Sequence, residues 1–79
     1  MISIHELLNR IKWDKKLNPE EYTIYYLDRI TNSLKEIKFN QIKEFNVFSL
    51  IVEKNDKEID IPLHRIREAR KGSKIIWKR

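Results

Sequence analysis

The sequence predicts an α+β fold, in which an N-terminal amphipathic helix packs on a curled antiparallel sheet or small, partly open barrel of about five to six strands. Two observations support this prediction. Apolar residues first recur at helical spacing, and they then alternate or cluster in short runs that are rich in β-branched and aromatic residues. The chain has 79 residues, one Gly and no Cys. We therefore expect a single domain, residues 1–79, that is stabilised by one small apolar core.

The helix is predicted to begin after Ser3, whose hydroxyl is suited to cap it, and to end at Trp13. Its core-facing side follows the i, i+3, i+4, i+7 rule. The residues on this side are Ile4, Leu7, Leu8 and Ile11. Residues 14–19 then connect the helix to the first strand.

Strands are predicted over residues 22–29, 34–39, 47–53 and 57–63, because these runs are aromatic and β-branched or alternate in polarity. Residues 40–45 are predicted to form a single helical turn that Asn40 caps. The C-terminal residues 65–70 and 74–78 are predicted to form a hairpin around Gly72, with one helical turn after Leu63 as the alternative. The sequence shows no internal repeat.

The net charge is concentrated at the C-terminus. Residues 64–79 contain seven Arg and Lys and a single acid, Glu68, which gives this segment a net charge of +6, whereas residues 1–63 have a net charge of −1. A basic segment that also contains His64 and Trp77 favours a phosphate-binding surface, because cations neutralise phosphates and flat rings stack on bases. The alternative is a C-terminal strand with a solvated cationic face.

Several kinds of site and location are not expected. Without Cys there is no thiolate metal site, and two His residues without suitably spaced carboxylates do not predict a metal site, so we expect no cofactor. The N-terminus lacks the pattern of a secretory signal, and no stretch is long enough to span a membrane. These features predict a soluble, cytoplasmic protein without a membrane partner. The abundance of Lys, Glu and Ile is typical of proteins from hot habitats.

Polar residues at the predicted strand ends are candidate phosphate ligands. Asp28 and Arg29 end one strand, and His64 and Arg65 end another. If these ends meet at one rim, the planar guanidinium of Arg can bind a phosphate through two parallel hydrogen bonds. Asp28 has the alternative role of pairing with Arg29, Arg65 or a loop amide.

The aromatic candidates for base stacking are Trp13, Trp77 and one or two of the tyrosines at positions 22, 25 and 26. Trp77 is the first choice because it lies in the basic segment, and packing in the core is its equal alternative. The complete set of candidate binding residues is Arg29, His64, Arg65, Asp28, Trp77, Arg67, Lys74, Arg79 and Trp13.

Catalysis has little support in the sequence. There is no Gly-rich phosphate loop and no Ser/His/Asp arrangement. His5 and His64 could act as an acid–base pair, but neither lies in the His-x-Thr pattern of two-histidine phosphoesterases. The favoured hypothesis is a non-catalytic binding module, and an enzyme that uses His64 remains the alternative.

Four segments of the chain together form a recognisable pattern. They are Ile4–Asp14, Tyr26–Arg29, Ile61–Ile66, and Gly72 followed by Ile76–Arg79. In this order they resemble the small archaeal family called the RNA cyclic group end recognition domain, over nearly the whole chain. The most specific part is the Ile-Pro-x-His-Arg-Ile run, with Gly and then Trp-x-Arg after it.

This resemblance implies a module that recognises RNA 3′ ends, including ends with a 2′,3′-cyclic phosphate, in RNA processing or repair. It implies that Asp28, Arg29, His64 and Arg65 form the polar set. Trp13 and Trp77 are the matching aromatic residues. The expected partner is RNA, and the alternative is that the chain is a protein-interaction subunit of an RNA-processing complex.

Overall fold

One helix and seven strands form the part of the chain that the computed structural model describes, residues 2–79. The helix, α1, spans Ile4–Trp13. The strands are β1 (Tyr22–Asp28), β2 (Ser33–Lys38), β3 (Ile42–Phe45), β4 (Ser49–Lys54), β5 (Lys57–Pro62), β6 (Ile66–Lys71) and β7 (Lys74–Lys78). Short 3₁₀ turns precede three of the strands, at Pro19–Glu21, Phe39–Gln41 and Leu63–Arg65.

The predicted helix is confirmed. The hydroxyl of Ser3 accepts a hydrogen bond from the backbone N–H of Glu6 at 3.1 Å, which satisfies one of the amides at the start of α1. Its buried residues are Ile4, Leu7, Leu8 and Ile11. Within residues 2–79, no helix is long and apolar enough to cross a membrane.

The α+β class is confirmed, but the prediction of one curled sheet or partly open barrel of about five to six strands is wrong, because seven strands form two sheets. The strands form two antiparallel sheets, with the orders β2-β1-β6-β7 and β3-β4-β5. The strand missing from the prediction is β3. The sequence predicts one helical turn over residues 40–45, whereas in the structure the turn ends at Gln41 and the chain then extends. Pairing with β4 supplies backbone partners that a single helical turn does not offer.

Both alternatives for the C-terminal segment are present. Leu63–Arg65 forms one 3₁₀ turn, and β6 and β7 then form the predicted hairpin. Gly72 has a φ of +62° in the turn between these strands, a conformation that glycine adopts without a steric penalty.

The structure contains an internal repeat that the sequence does not reveal. The hairpin β1–β2 leads through a 3₁₀ turn into β3, and the hairpin β4–β5 leads through a 3₁₀ turn into β6. The two units exchange their third strands, because β3 pairs with β4 and β6 pairs with β1. The order β2-β1-β6 therefore corresponds to β5-β4-β3, and β7 is an additional strand.

The register of the strands supports this equivalence in detail. Ile24 pairs with Ile37 in the first hairpin, and Leu50 pairs with Ile61 in the second. The pairings of the exchanged strands share the same irregularity. The β1–β6 pairing shifts register between Tyr25 and Tyr26, and the β3–β4 pairing shifts register at the equivalent position, between Ile42 and Glu44. The hairpin loops differ in length, with residues 29–32 in the first unit and residues 55–56 in the second.

The helix contacts both sheets and so closes the core. The indole Nε1 of Trp77 in β7 donates a hydrogen bond to the carbonyl of Ile2, just before α1, at 2.9 Å. On the other side, the ring of His5 makes an edge-to-face contact with Phe45 of β3 at a centroid distance of 6.0 Å. The helix therefore depends on both edge strands for its position, rather than on either sheet alone.

We expect Trp77→Phe to lower the free energy of unfolding by about 1–3 kcal/mol, because it leaves the carbonyl of Ile2 without its donor and removes part of a buried ring. Trp13→Phe, at a position that is 71% exposed, should change it by less than about 0.5 kcal/mol. Urea denaturation followed by far-UV circular dichroism measures both. Equal effects of the two substitutions would contradict the core role of Trp77.

Candidate functional site

A groove of about 470 Å³ lies where the two hairpins approach each other. Asp28, Arg29 and Arg65, three of the residues chosen from the sequence, lie in its lining. The complete lining is Tyr26, Leu27, Asp28, Arg29, Ile30, Lys35, Lys54, Ile59, Asp60, Ile61 and Arg65. Four cationic side chains and two carboxylates therefore surround a partly apolar floor, a composition suited to a compact anion.

Arg65 reaches the groove because of the 3₁₀ turn that contains it. Pro62 ends β5, Leu63 is buried, and the backbone N–H of Ile66 closes the turn on the carbonyl of Leu63. Ile66 then begins β6, where it pairs with Tyr26 of β1. The turn therefore brings Arg65 to the end of β1, where it lines the same groove as Leu27 and Arg29, although these residues are far apart in sequence.

Two further predicted binding residues, Arg67 and Arg79, stabilise this turn. A guanidinium nitrogen of Arg67 donates a hydrogen bond to the carbonyl of His64. Arg79 donates through Nε to the carbonyl of Ile66 at 3.0 Å and through a terminal nitrogen to the carbonyl of Leu63 at 3.3 Å. These three hydrogen bonds hold both arginines against backbone carbonyls of the turn, and neither arginine lies in the groove lining. Their role in the structure is therefore to position Arg65.

Asp28 has two partners within the groove. Its Oδ1 accepts a hydrogen bond from the backbone N–H of Ile30 at 2.8 Å, and its Oδ2 lies 3.0 Å from Nζ of Lys35. The first contact confirms the loop-amide alternative, and the ion pair is with Lys35 rather than with Arg29 or Arg65. Asp28 therefore fixes the start of the loop, residues 29–32, that carries Arg29.

These contacts determine the electrostatics of the pair. The hydrogen bond from Lys35 and the backbone amide of Ile30 hold the pKa of Asp28 below its usual value of 3.8. The same carboxylate raises the pKa of Lys35 above 10.5. Lys35 remains partly exposed, so it stays accessible to a ligand while the carboxylate orients it.

The other predicted residues lie outside the groove lining. His64 is exposed on the same turn as Arg65, and Lys74 is exposed at the start of β7. Trp77 is 6% exposed, so of its two alternatives the structure shows packing in the core. Trp13 is exposed at the end of α1, where Nζ of Lys12 lies 5.0 Å from its ring centroid. No cluster of His, Asp or Glu within residues 2–79 could hold a metal ion.

Lys35 and Lys54 belong to the groove and were missed from the sequence. Both lie on strands among many other lysines, and nothing in their local sequence distinguishes them. The strand register provides the missing information, since Lys35 pairs with Tyr26 and Lys54 occupies the position in the second hairpin that Asp28 occupies in the first.

A second groove, of about 440 Å³, has a different composition. It is lined by Asn40, Gln41, Lys43, Glu53, Asn55 and Asp56. In the internal repeat, Gln41 takes the place of Arg65, and Asn55 that of Arg29. Lys43, its one cation, lies 3.2 Å from Glu58, whose carboxylate raises the pKa of that lysine. The positions of two arginines of the first groove, Arg65 and Arg29, are therefore occupied by amide side chains in the second groove.

We expect an NMR titration of the Asp28 carboxyl group to give a midpoint below 3.8. The pair should then contribute stability above pH 3.8, and this contribution should be lost as the pH falls through the lowered pKa. In Lys35→Met the midpoint should move toward 3.8, because the main cause of the shift is removed. Lys43→Met, which removes a lysine paired elsewhere, should leave it unchanged. A wild-type midpoint at or above 3.8 would disprove the pairing.

Comparison with known proteins identifies relatives of the whole chain. Two UPF0248 proteins of Saccharolobus, from S. islandicus and S. solfataricus, are each 33% identical to this chain over 81 residues. The alignments cover 99% of this chain and 100% and 98% of the relatives. A UPF0248 protein of Methanococcus vannielii is 35% identical over 82 residues, which cover 96% of this chain and 90% of the relative. No solved structure matches the chain.

The family model described as the MJ1316 RNA cyclic group end recognition domain matches residues 1–79. This match spans the helix, both hairpin units and the additional strand β7. The archaeal relatives agree with it, since they too align over almost their full length. The chain therefore belongs to the MJ1316 RNA cyclic group end recognition domain family.

Proposed function

We propose that this protein is an RNA-binding module that recognises RNA 3′ termini in RNA processing or repair, and that its cationic groove binds a terminal 2′,3′-cyclic phosphate. The observation that supports the site most strongly is that Arg29 and Arg65, from separate hairpin units, line one groove together with Lys35 and Lys54. The family description, which names RNA cyclic group ends, supports the choice of ligand.

The charges in the groove suit a phosphate end in general. A phosphomonoester carries about −1.5 to −2 charges at pH 7, whereas a cyclic phosphodiester carries a single negative charge. Four cations and the two carboxylates Asp28 and Asp60 give the lining a net charge of +2, which attracts both kinds of end. Preference for the cyclic form therefore has to come from the shape and the apolar surface of the groove.

The apolar part of the groove favours a cyclic phosphate over a free 2′,3′-diol. Leu27, Ile30, Ile59 and Ile61 contribute surface to the lining. A cyclic phosphate has no hydroxyl donor at the 2′ or 3′ position, so it loses no hydrogen bonds from such groups when it contacts this surface. A free 2′,3′-diol would leave hydroxyl groups there without partners, which costs free energy.

The second groove provides an internal comparison. It has nearly the same size, and it holds Gln41 and Asn55 at the positions that correspond to Arg65 and Arg29 in the internal repeat. Solvation alone would be served equally well by amide or guanidinium groups at these two positions. The presence of both arginines in one groove supports a ligand-binding role for the groove that contains Arg65.

We expect Arg65→Ala to weaken binding of a short RNA with a 2′,3′-cyclic phosphate by about tenfold or more, because charge-assisted hydrogen bonds to the phosphate are lost. Matched RNAs that end in 3′-phosphate and 3′-hydroxyl should bind the wild type more weakly. Fluorescence anisotropy at several salt concentrations measures this. The slope of log K against log salt should fall in magnitude by about 0.7 in the variant.

The matched control for this experiment is Lys43→Ala, which removes the same charge from the second groove and should change affinity less than twofold. Arg65→Lys keeps the charge but loses the two-pronged geometry, so it should fall between wild type and Arg65→Ala. Equal binding by wild type and Arg65→Ala at fixed salt would show that the groove is not the site. Equal, strongly salt-dependent binding of all three ends would reduce the function to a general cationic attraction.

We also expect each RNA end to be recovered unchanged after prolonged incubation with the protein, because the exposed His64 lies outside the lining of the groove proposed for the phosphate. Mass spectrometry of the recovered RNA measures this. Multiple turnover that is lost in His64→Ala and kept in His5→Ala would instead establish the enzyme alternative.

A further inference from the structure

The connection between β3 and β4 presents an aromatic ring that no part of the proposed site has used so far. Phe48 is 79% exposed, a high value for a phenylalanine. It follows Val47, which is also exposed, in the connection formed by residues 46–48. A large exposed apolar ring is a candidate contact for a ligand when its position is fixed by the surrounding backbone.

The backbone of Phe48 is fixed on both sides. The side-chain oxygen of Asn46 accepts hydrogen bonds from the N–H groups of Phe48 at 2.8 Å and Ser49 at 3.0 Å. The carbonyl of Phe48 accepts a hydrogen bond from the N–H of Leu63 at 2.8 Å. The ring therefore projects from a well-anchored position, and ordering it for a ligand requires little loss of backbone entropy.

The internal repeat shows that this exposure is not imposed by the local fold. In the first hairpin unit the equivalent position is Tyr22, two residues before Ile24 as Phe48 is two residues before Leu50. Tyr22 is 4% exposed. The same backbone position thus holds a buried ring in one unit and an uncovered ring in the other.

Phe48 is also next to the element that forms the groove. Its carbonyl binds the first residue of the turn Leu63–Arg65, and the last residue of that turn lines the groove. Arg65 follows Leu63 by two residues, so a single short turn connects the backbone partner of Phe48 to a residue of the groove lining. A base attached to a phosphate in the groove would extend onto the surface beside the groove.

The other exposed or basic-segment rings are less suitable. Trp77 is buried, and its indole nitrogen is used by the carbonyl of Ile2. The ring of Trp13 is approached by the ammonium group of Lys12. Tyr26 lines the groove, but its ring is partly buried and packs against the core. The ring of Tyr25 is covered by the guanidinium of Arg70 at 4.6 Å. At 79% exposure, Phe48 offers more open ring surface to a base than either tyrosine.

We infer that Phe48 is the platform on which the base at the RNA terminus stacks while the terminal phosphate occupies the groove. This inference rests on the proposed function and adds a residue to it. Every base has a π-face, so stacking on a phenylalanine contributes affinity without selecting a sequence. The module would thereby recognise the chemistry of an end independently of the nucleotide that carries it.

The test uses the full chain and a short RNA with a terminal 2-aminopurine nucleotide that bears a 2′,3′-cyclic phosphate. Stacking quenches the fluorescence of 2-aminopurine, so the intensity reports on the contact itself. Phe48→Leu, which keeps an apolar side chain of similar size, should weaken binding by about tenfold and remove the quenching. Phe48→Tyr should retain both, because the aromatic face is preserved. Val47→Ala, at the exposed neighbouring position, should resemble wild type.

A matched RNA that lacks the terminal base separates stacking from other effects, since Phe48→Leu should bind it as tightly as wild type does. If Phe48→Leu binds and quenches like wild type while Arg65→Ala binds weakly, the stacking inference is overturned and the proposed function stands; the exposed ring then serves another partner, such as a protein. If Phe48→Leu weakens the base-free RNA equally, stacking is also disproved. If neither substitution changes binding, both proposals fail.

Discussion

The reciprocal exchange of β3 and β6 is the constraint on which the rest of this structure depends. A two-stranded hairpin leaves unpaired backbone groups and buries too little apolar surface to be stable alone. Each unit therefore donates its third strand to the other, and the core forms between the resulting sheets. To make this exchange the chain must change direction after each hairpin. The 3₁₀ turns at Phe39–Gln41 and Leu63–Arg65 produce that change, and the second of them delivers Arg65 to the groove.

The need to hold the turn Leu63–Arg65 in place explains the contacts of the basic segment, residues 64–79. Of its four arginines, one lines the groove, two bind carbonyls of the turn behind it, and one pairs with Glu68; in this order they are Arg65, Arg67 and Arg79, and Arg70. Supporting a site residue through a second layer of charged hydrogen bonds limits its motion and leaves its own donors for a ligand. The basic C-terminal segment therefore both holds Arg65 in place and supplies positive charge to the groove. Lys35 and Lys54 add two more cations to the groove from other strands.

Sequence reasoning recovered part of the candidate site. Asp28, Arg29 and Arg65 were found because polar residues at strand ends are recognisable in a sequence and because their surroundings resemble a known family. Lys35, Lys54 and Phe48 were not found, since their roles arise from strand register and from an uncovered position in the repeat. The repeat itself was hidden because the units share few residues beyond apolar positions such as Ile37 and Ile61 and because their loops differ by two residues. The two units are equivalent in how their backbones pair, and many different side chains are compatible with the same backbone pairing.

By itself the sequence determined the elements whose causes are local. Ser3 and the apolar spacing specify α1, and Gly72 specifies the last hairpin turn, because capping and backbone sterics act between near neighbours. The tertiary structure decided the division into two sheets, the extension of β3 and the burial of Trp77, because each depends on a partner that is distant in sequence. It likewise decided which cations share a groove, since only the exchange of strands brings the two hairpins together.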